Sequence, residues 1–310
     1  MRIGIDLGGT KTEAMLMGPH GEDLLRLREP TPAGDYEATL DLISHLVGQL
    51  DREAGTTCPV GIGMPGAISP ATGIVKNANS TWLIGQPLHT HLEQRLGSRV
   101  RLANDADCFA LSEATDGAGR GAPSVFGVIA GTGVGGGFVV DGKLLSGPNA
   151  IAGEWGHIPL PWPQTHELPG PDCYCGKRGC VEAWCSGPGL AADHLRITKH
   201  RLKPENIALA AATGNTEAKA SLDRHADRLA RALAIVINIV DPHVIVLGGG
   251  LSHMDHLYDA VPRLLPRYVF SDSVSTLIRR NVHGASSGIR GAAWLWPEHA
   301  DTQSHQTGLR

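Results

Sequence analysis

Two groups of residues in this chain have the types and spacing for chemistry: three glycine turns behind apolar runs, and a loop rich in thiols. The turns are Gly8-Gly9-Thr10, Gly131-Thr132-Gly133 and Gly248-Gly249-Gly250. Glycine lets backbone N–H groups come close to phosphate oxygens, and Thr10 and Thr132 add hydroxyl donors. Lys11 directly follows the first turn and is counted with the phosphate-binding set. Asp6, one strand residue ahead of that turn, is placed to hold a magnesium ion directly or through water. None of the turns has the P-loop or dinucleotide-binding spacing, and each alone reads more readily as a hairpin turn. The duplication adds the weight. Two copies of strand, glycine turn and strand can face each other across a cleft and grip a nucleoside triphosphate from both sides.

The thiol loop carries Cys173, Cys175 and Cys180, with His157 sixteen residues ahead of Cys173. Three thiolates and one imidazole make a closed tetrahedral zinc site. Cys185 and His166 are rival ligands by proximity. All four positions of such a site are filled by protein, so the metal is expected to be structural, its role to hold a long loop in place. Cys58, Cys108 and Cys185 read as small buried hydrophobes. Six cysteines clustered in this way suit a metal site in a reducing, cytoplasmic compartment better than a disulfide framework.

These residues need elements to position them. Residues 3–7 read as a buried strand and 12–17 as its hairpin partner, with a turn at Pro19-His20-Gly21. A helix is expected from about Asp35, with Leu40, Ile43, Leu46, Val47 and Leu50 on one face. Residues 59–63 form a further strand ended by Met64-Pro65-Gly66, and 76–88 reads as polar and irregular. Val100–Ala103 is a strand feeding a helix from about Asn104. Near Ser124 the plan restarts: VFGVIAGTGVGGGFVVDG repeats the strand–turn–strand order of IGIDLGGTKTEAMLMGPHG. Residues 151–186 form a loop rich in Pro, Cys and Gly. A long helix over 217–240 runs into the strand Val244–Leu247, and a last short helix covers Gly291–Trp296. The tail from Pro297 is polar and expected to fray.

Composition bounds the class. The chain has 310 residues, enough for two domains, and 42% of them are hydrophobic, enough for a sizeable core. Its 40 glycines are roughly twice the average share of about 7%, and they gather after apolar runs, not in a linker. A net charge of −4 favours neither a nucleic-acid backbone nor an anionic membrane. The opening MRIGIDLGG reads as a strand and not as a signal peptide, and no apolar run reaches membrane-spanning length.

Taken in order, IDLGGTKTE, GIGMPGAISP, LANDADCFALSEA, GTGVGGG, GEWGH, CYCGKRGCVEAWCSG and VLGGG resemble the ROK family of bacterial sugar kinases, from residue 1 to about Trp296. KNANSTWLIGQPL, LPWP and HGASSGIRGAAWLWP look closest to its fructokinase and mannokinase branch. The resemblance implies an α/β fold of the duplicated ribonuclease-H-like, actin- and hexokinase-type kind, with two domains and a cleft between them. The smaller N-terminal domain would take residues 1–117 plus 290–310, with the C-terminal helix returning to it. The larger would take 118–289, with the zinc loop at 157–180. The implied reaction is ATP-dependent phosphorylation of a hexose at its 6-hydroxyl with magnesium, fructose first and mannose also, and the family pattern suggests a homodimer. Glucose and N-acetylglucosamine kinases share nearly all of these motifs.

Within that resemblance, Asp105 is the general base and Asn104 binds sugar. Asp105 follows a strand and opens a helix, so its carboxylate can leave the sheet edge. Asn and Asp are also favoured helix caps, and the segment fits that reading as well; Asp107 is a competing carboxylate. Carboxylates suit sugars because each accepts from two adjacent hydroxyls. The family's pattern assigns Glu154, His157 and Glu182 to sugar hydroxyls, and His157, Cys173, Cys175 and Cys180 to zinc. Gly66, Asn77 and Asn79 are candidates for the opposite wall. His157 can serve metal and sugar through its two ring nitrogens. The family also includes sugar-responsive transcriptional regulators with a helix-turn-helix ahead of the kinase-like part. The first phosphate strand here begins at Ile3, which disfavours that reading.

Overall fold

The structure, a computed structural model, describes residues 1–297. By its contacts the chain divides into two units, Met1–Cys108 with the residues from Gly288 on, and Phe109–Ser287. The division falls inside a helix, whereas the sequence reading set its boundary after residue 117. The polar tail beyond Pro297 lies outside the described residues.

The first unit is built on a five-stranded sheet. Its strands are β1 (Arg2–Leu7), β2 (Lys11–Met17), β3 (Asp23–Pro30), β4 (Val60–Met64) and β7 (Val100–Asn104), ordered β3-β2-β1-β4-β7. β1 pairs antiparallel with β2 and parallel with β4, which pairs parallel with β7. Helix α1 (Tyr36–Ala54) is capped by the Asp35 carboxylate, which accepts from Ala38 N–H at 3.0 Å, and ends on left-handed Gly55. Its Leu40, Ile43, Leu46, Val47 and Leu50 are all buried in the core, as their spacing predicts. Short strands β5 (Ala67–Ile68) and β6 (Val75–Lys76) and helix α2 (Leu88–Leu96) fill the stretch before β7. The segment read as irregular, 76–88, thus starts on the last residue of β6 and holds a 3-10 turn at Thr81–Leu83.

Helix α3 (Asp105–Thr115) leads to the second sheet: β8 (Ser124–Ala130), β9 (Val134–Val140), β10 (Lys143–Leu144), β11 (Val244–Gly248) and β12 (Leu277–Arg280). The order is β10-β9-β8-β11-β12. β8 pairs antiparallel with β9 and parallel with β11, and β11 parallel with β12. Strand for strand this repeats the first sheet, so the repeat read from sequence is a repeat of topology. Between β10 and β11 lie the thiol loop and helices α4 (Val181–Cys185), α5 (Gly187–Thr198), α6 (Pro204–Ala212) and α7 (Thr216–Val240). Helix α8 (His256–Leu264) follows β11.

Helix α9 (Ser287–Trp294) begins ahead of the expected Gly291 and ends before the expected Trp296. From Gly288 on it belongs to the first unit, against β1 and β4. A Cβ on Gly4 would meet the Ile289 carbonyl, and one on Gly61 the Ala292 carbonyl. Bare backbone at these points is what lets helix and sheet approach. Trp296 Nε1 donates to the Val60 carbonyl at 2.9 Å, and the Arg2 guanidinium lies 4.4 Å over Trp294. Among the described residues no helix is long and apolar enough to cross a membrane.

Candidate active site

In the first unit the carboxyl ends of β1, β4 and β7 bring the predicted residues to one edge of the sheet. The Gly8-Gly9-Thr10 turn is pinned from behind: Gly8 N–H donates to the Lys11 carbonyl at 3.0 Å, and Thr31 Oγ1 donates to the Gly8 carbonyl at 2.8 Å. Thr31 also shares a buried 2.8 Å hydrogen bond with Thr12. Gly9 and Thr10 stay exposed. The Lys11 ammonium is engaged by Glu13 at 2.7 Å. Asp6 is largely shielded from solvent. Burial, and then the charges of Asp105 and Glu13, push its pKa up to about 6, against the pull of Lys11. Asp6 and Asp105 therefore lie close enough to sense each other's charge.

Asn104 closes β7. Its Nδ2 donates to the Gly66 carbonyl at 3.0 Å, and its Oδ1 accepts from Ala106 N–H at 2.8 Å. It is thus both the cap of α3 and a brace on the Met64-Pro65-Gly66 turn, where left-handed Gly66 leaves no room for a Cβ beside Lys76 and Ala78. Asp105 Oδ1 accepts from the same Ala106 N–H at 2.9 Å, and the residue is exposed. Asn104 and Asp105 thus share one N–H donor at the start of α3. Asp107 sits half-buried in the first turn of α3. Asn77, at φ 57°, and Asn79 are exposed beyond β6.

In the second unit, two glycine turns sit at the carboxyl ends of neighbouring parallel strands, the place where open α/β sheets bind ligands. The Gly131-Thr132-Gly133 turn closes with a 2.9 Å hydrogen bond from Gly131 N–H to the Gly133 carbonyl. A Cβ on Gly131 would stand 3.6 Å from the amide nitrogen of Gly250, so the turn after β8 adjoins Gly248-Gly249-Gly250 after β11. Gly249, at φ 76°, admits no side chain because a Cβ would lie 2.5 Å from the Ala130 carbonyl. Glu182, at the start of α4, joins this group: its Oε2 accepts from Val134 N–H at 2.9 Å. Glu154 is exposed at the head of the 3-10 turn Trp155–His157, whose Trp155 is buried and donates to the Gly135 carbonyl at 3.0 Å.

His157, Cys173, Cys175 and Cys180 offer one ligand atom each within 4.8 Å of one another. His157 Nδ1 lies 3.6 Å from Cys173 Sγ, and the Cys175 and Cys180 sulfurs are 3.6 Å apart. A tetrahedron with Zn–S bonds of about 2.3 Å has edges of about 3.8 Å, so donor set and spacing both fit zinc. A disulfide needs sulfurs about 2.05 Å apart, and all six cysteines are free. Cys185 stands apart, fully buried on α4, where burial pushes its thiol up to about 12. His166 likewise lies outside the cluster.

Three features escaped the sequence reading. Tyr174 lies between two of the cysteines, and its hydroxyl meets His157 Nε2 at 2.9 Å, on the other side of the ring from the Nδ1 that faces Cys173. Thr31 stabilises the first glycine turn from the end of β3, a contact between distant residues that no local motif signals. Arg228 and Arg231 are buried with Glu167 and Asp193. Their one sequence signal is two arginines amid the apolar stripe of α7.

The family model for the ROK family matches residues 2–299. The N-acetyl-D-glucosamine kinase of Vibrio parahaemolyticus is 40% identical over 302 residues, covering 95% of this chain and 99% of that protein. The crystal structure of a ROK hexokinase from Thermus thermophilus superposes with a TM-score of 0.82 at 31% identity, over 94% of this chain and 96% of that one. A ROK family glucokinase from Streptomyces griseus, solved with glucose and AMPPNP, gives a TM-score of 0.74 at 28% identity, over 95% and 98% of the two chains.

Proposed function

We propose, from the premise that this chain belongs to the ROK family and is a sugar kinase, that it transfers the γ-phosphoryl group of ATP to the 6-hydroxyl of N-acetyl-D-glucosamine. The observation that carries the choice of sugar is the 40% identity to an N-acetyl-D-glucosamine kinase along nearly the whole of both chains. Fructose, the sugar first suggested by the branch motifs, has no support among the relatives described above.

A primary hydroxyl is a poor nucleophile, so the reaction needs a base beside it and positive or hydrogen-bonding groups on the phosphoryl group. Asp105 is assigned as that base; its exposure and its place beyond the sheet edge support the role. Asp6 is assigned to hold magnesium, which when bound offsets phosphate charge. Gly8, Gly9, Thr10 and Lys11, with Gly131, Thr132, Gly133 and Gly248, Gly249, Gly250, are assigned to the nucleotide phosphates. Glu154, His157 and Glu182 are assigned to sugar hydroxyls, with Gly66, Asn77, Asn79 and Asn104. A hydroxyl taken up by His157 Nε2 would replace that of Tyr174. Zinc in the Cys/His cluster is assigned a structural role, since four protein ligands leave no open position.

The test is ADP release measured with ATP and magnesium across N-acetylglucosamine, glucose, mannose and fructose. N-acetylglucosamine should show the highest kcat/KM. A preference for fructose or glucose of tenfold or more, about 1.4 kcal/mol in transition-state binding, would overturn the choice of sugar and leave the kinase intact.

A further inference from the structure

The thiol loop is held at its ends by its own backbone. Leu160 N–H donates to the Gly179 carbonyl at 2.8 Å, and Val181 N–H to the Ile158 carbonyl at 2.9 Å. Farther out, Gly179 N–H reaches the Pro171 carbonyl at 2.8 Å and Cys173 N–H the Lys177 carbonyl at 2.9 Å. Between these ties the chain arches through Pro161 to Gly170, and its regular structure there is a single 3-10 turn, Thr165–Glu167. A bare arch of this kind would let the cluster shift as a body, because a metal fixes its ligands to one another and not to the rest of the fold.

The middle of the arch is gripped by α7. Glu167 is 3% exposed. Its Oε1 accepts from Arg228 Nε at 2.7 Å and from Arg231 Nη2 at 2.8 Å; its Oε2 accepts from Arg231 Nη1 at 2.9 Å. Arg231 Nη1 also donates to the carbonyls of Pro161 at 3.1 Å and Trp162 at 2.9 Å, so one guanidinium holds both the arch's carboxylate and its backbone. The Arg228 guanidinium lies 4.3 Å over the Trp184 ring on α4, the helix that begins with Val181 and Glu182. Its Nη2 donates to Asp193 on α5 at 3.0 Å. Two buried cations thus face two buried anions.

We propose that Glu167 is a positioning residue: through Arg228 and Arg231 it fixes the Cys/His cluster and the Glu182 end of α4 to helix α7. The inference rests on the reading of Glu154, His157 and Glu182 as sugar ligands. A buried ion cluster is not needed for stability alone, because well-packed apolar side chains serve as well or better. What apolar packing lacks is direction. Bidentate pairing sets both distance and angle for a stretch of chain with little regular structure.

The test is Glu167→Gln, which keeps the shape and removes the charge. Three quantities are read: the labelling rate of Cys173, Cys175 and Cys180 by a maleimide, mapped by peptide mass, the KM for sugar and the KM for ATP. Labelling should be about tenfold faster and the sugar KM about tenfold higher, the scale seen when groups supporting metal ligands are removed, with the ATP KM unchanged. The control is Arg224→Gln, which loses the 2.8 Å contact to Asp193 in the same network but touches no atom of the arch. It should lower the melting temperature and leave labelling and sugar KM at wild-type values. A folded Glu167→Gln with wild-type labelling and sugar KM overturns the proposal, as does an Arg224→Gln that shifts both as much. Should Glu167→Gln not fold, the charge-balanced pair Glu167→Gln with Arg231→Gln carries the same expectations. A wild-type protein that phosphorylates no hexose would sink the sugar-site reading alone, since the labelling arm does not depend on it.

Discussion

The two units share one sheet and are fastened in different ways. Both run antiparallel, antiparallel, parallel, parallel across five strands. In the first unit the fastening is steric. Gly4 and Gly61 present bare backbone to α9, and the core behind them is apolar. In the second it is partly ionic, with Arg228 and Arg231 set against Glu167 and Asp193 at 3% exposure or less. The difference follows from what each sheet must hold. A regular helix satisfies its own backbone and needs only close packing. An arch without a ladder leaves carbonyls such as Pro161 and Trp162 to be met by side chains, and arginine can meet several at once.

If Asp105 is the base, its loss should stop chemistry without loosening either fastening. Asp105→Ala is expected to lose about 10²–10⁴-fold in kcat with an unchanged melting temperature and circular dichroism. Near-normal turnover in the folded variant would return Asp105 to the role of a helix-cap neighbour.

The steric fastening breaks on a single methyl group. Gly61→Ala places a Cβ against the Ala292 carbonyl, and neither backbone can yield. Overpacking of this kind costs about 1–3 kcal/mol and should lower the melting temperature, with hydrogen exchange rising first in β1, β4 and α9. Unchanged exchange in those elements would mean that α9 is not the clasp of the first unit.

The ionic fastening breaks on acid. Burial alone would raise the Glu167 and Asp193 carboxyls, yet Arg231 and Arg228 hold Glu167 down to about 2, and Arg228, Arg196 and Arg224 hold Asp193 there too. Both are depressed, so their stabilisation is complete above the unfolded carboxylate range and is lost as pH falls toward about 2. His225, buried against the Cys185 carbonyl, is pushed down to about 4 by desolvation and stays neutral in the fold. It too favours the folded state above its unfolded value and gives that up as pH falls through about 4. Asp6 has the opposite sign: with its pKa raised to about 6, its contribution is greatest at low pH and falls as pH rises through 6. Between pH 6 and 3, hydrogen exchange should therefore rise earlier in α5 and α7 than in β1 and β4. The reverse order would show that the ion cluster does not govern the second unit.

Much of this was legible in the chain. The apolar face of α1 is Leu40, Ile43, Leu46, Val47 and Leu50 in both sequence and fold, because helical spacing is a local property. The repeat was visible because a glycine turn between apolar runs is local too. The cluster of His157 with three cysteines gathers as the family resemblance implied. Edge strand β3 was missed: its residues are mostly exposed and half of them are charged, and it exists because β2 offers a ladder. Helix α2 was missed because it lacks a side-chain cap and buries only Leu88 and Leu92. The grip of Arg231 on Glu167, or of Thr31 on Gly8, joins residues far apart in sequence, so no window along the chain contains both partners.

The division of the chain also sets an order of events. The second unit is one unbroken stretch, whereas the first opens with β1 and is completed by α9, on the far side of that stretch. On a ribosome adding about 5–20 residues per second, β1 emerges tens of seconds before the helix that covers it. During that interval Gly4 and Gly61 face no helix, and the buried face of β1 and β4 is bare. The second unit has every residue it needs before the first does, so the half of the molecule made first is the half that finishes last.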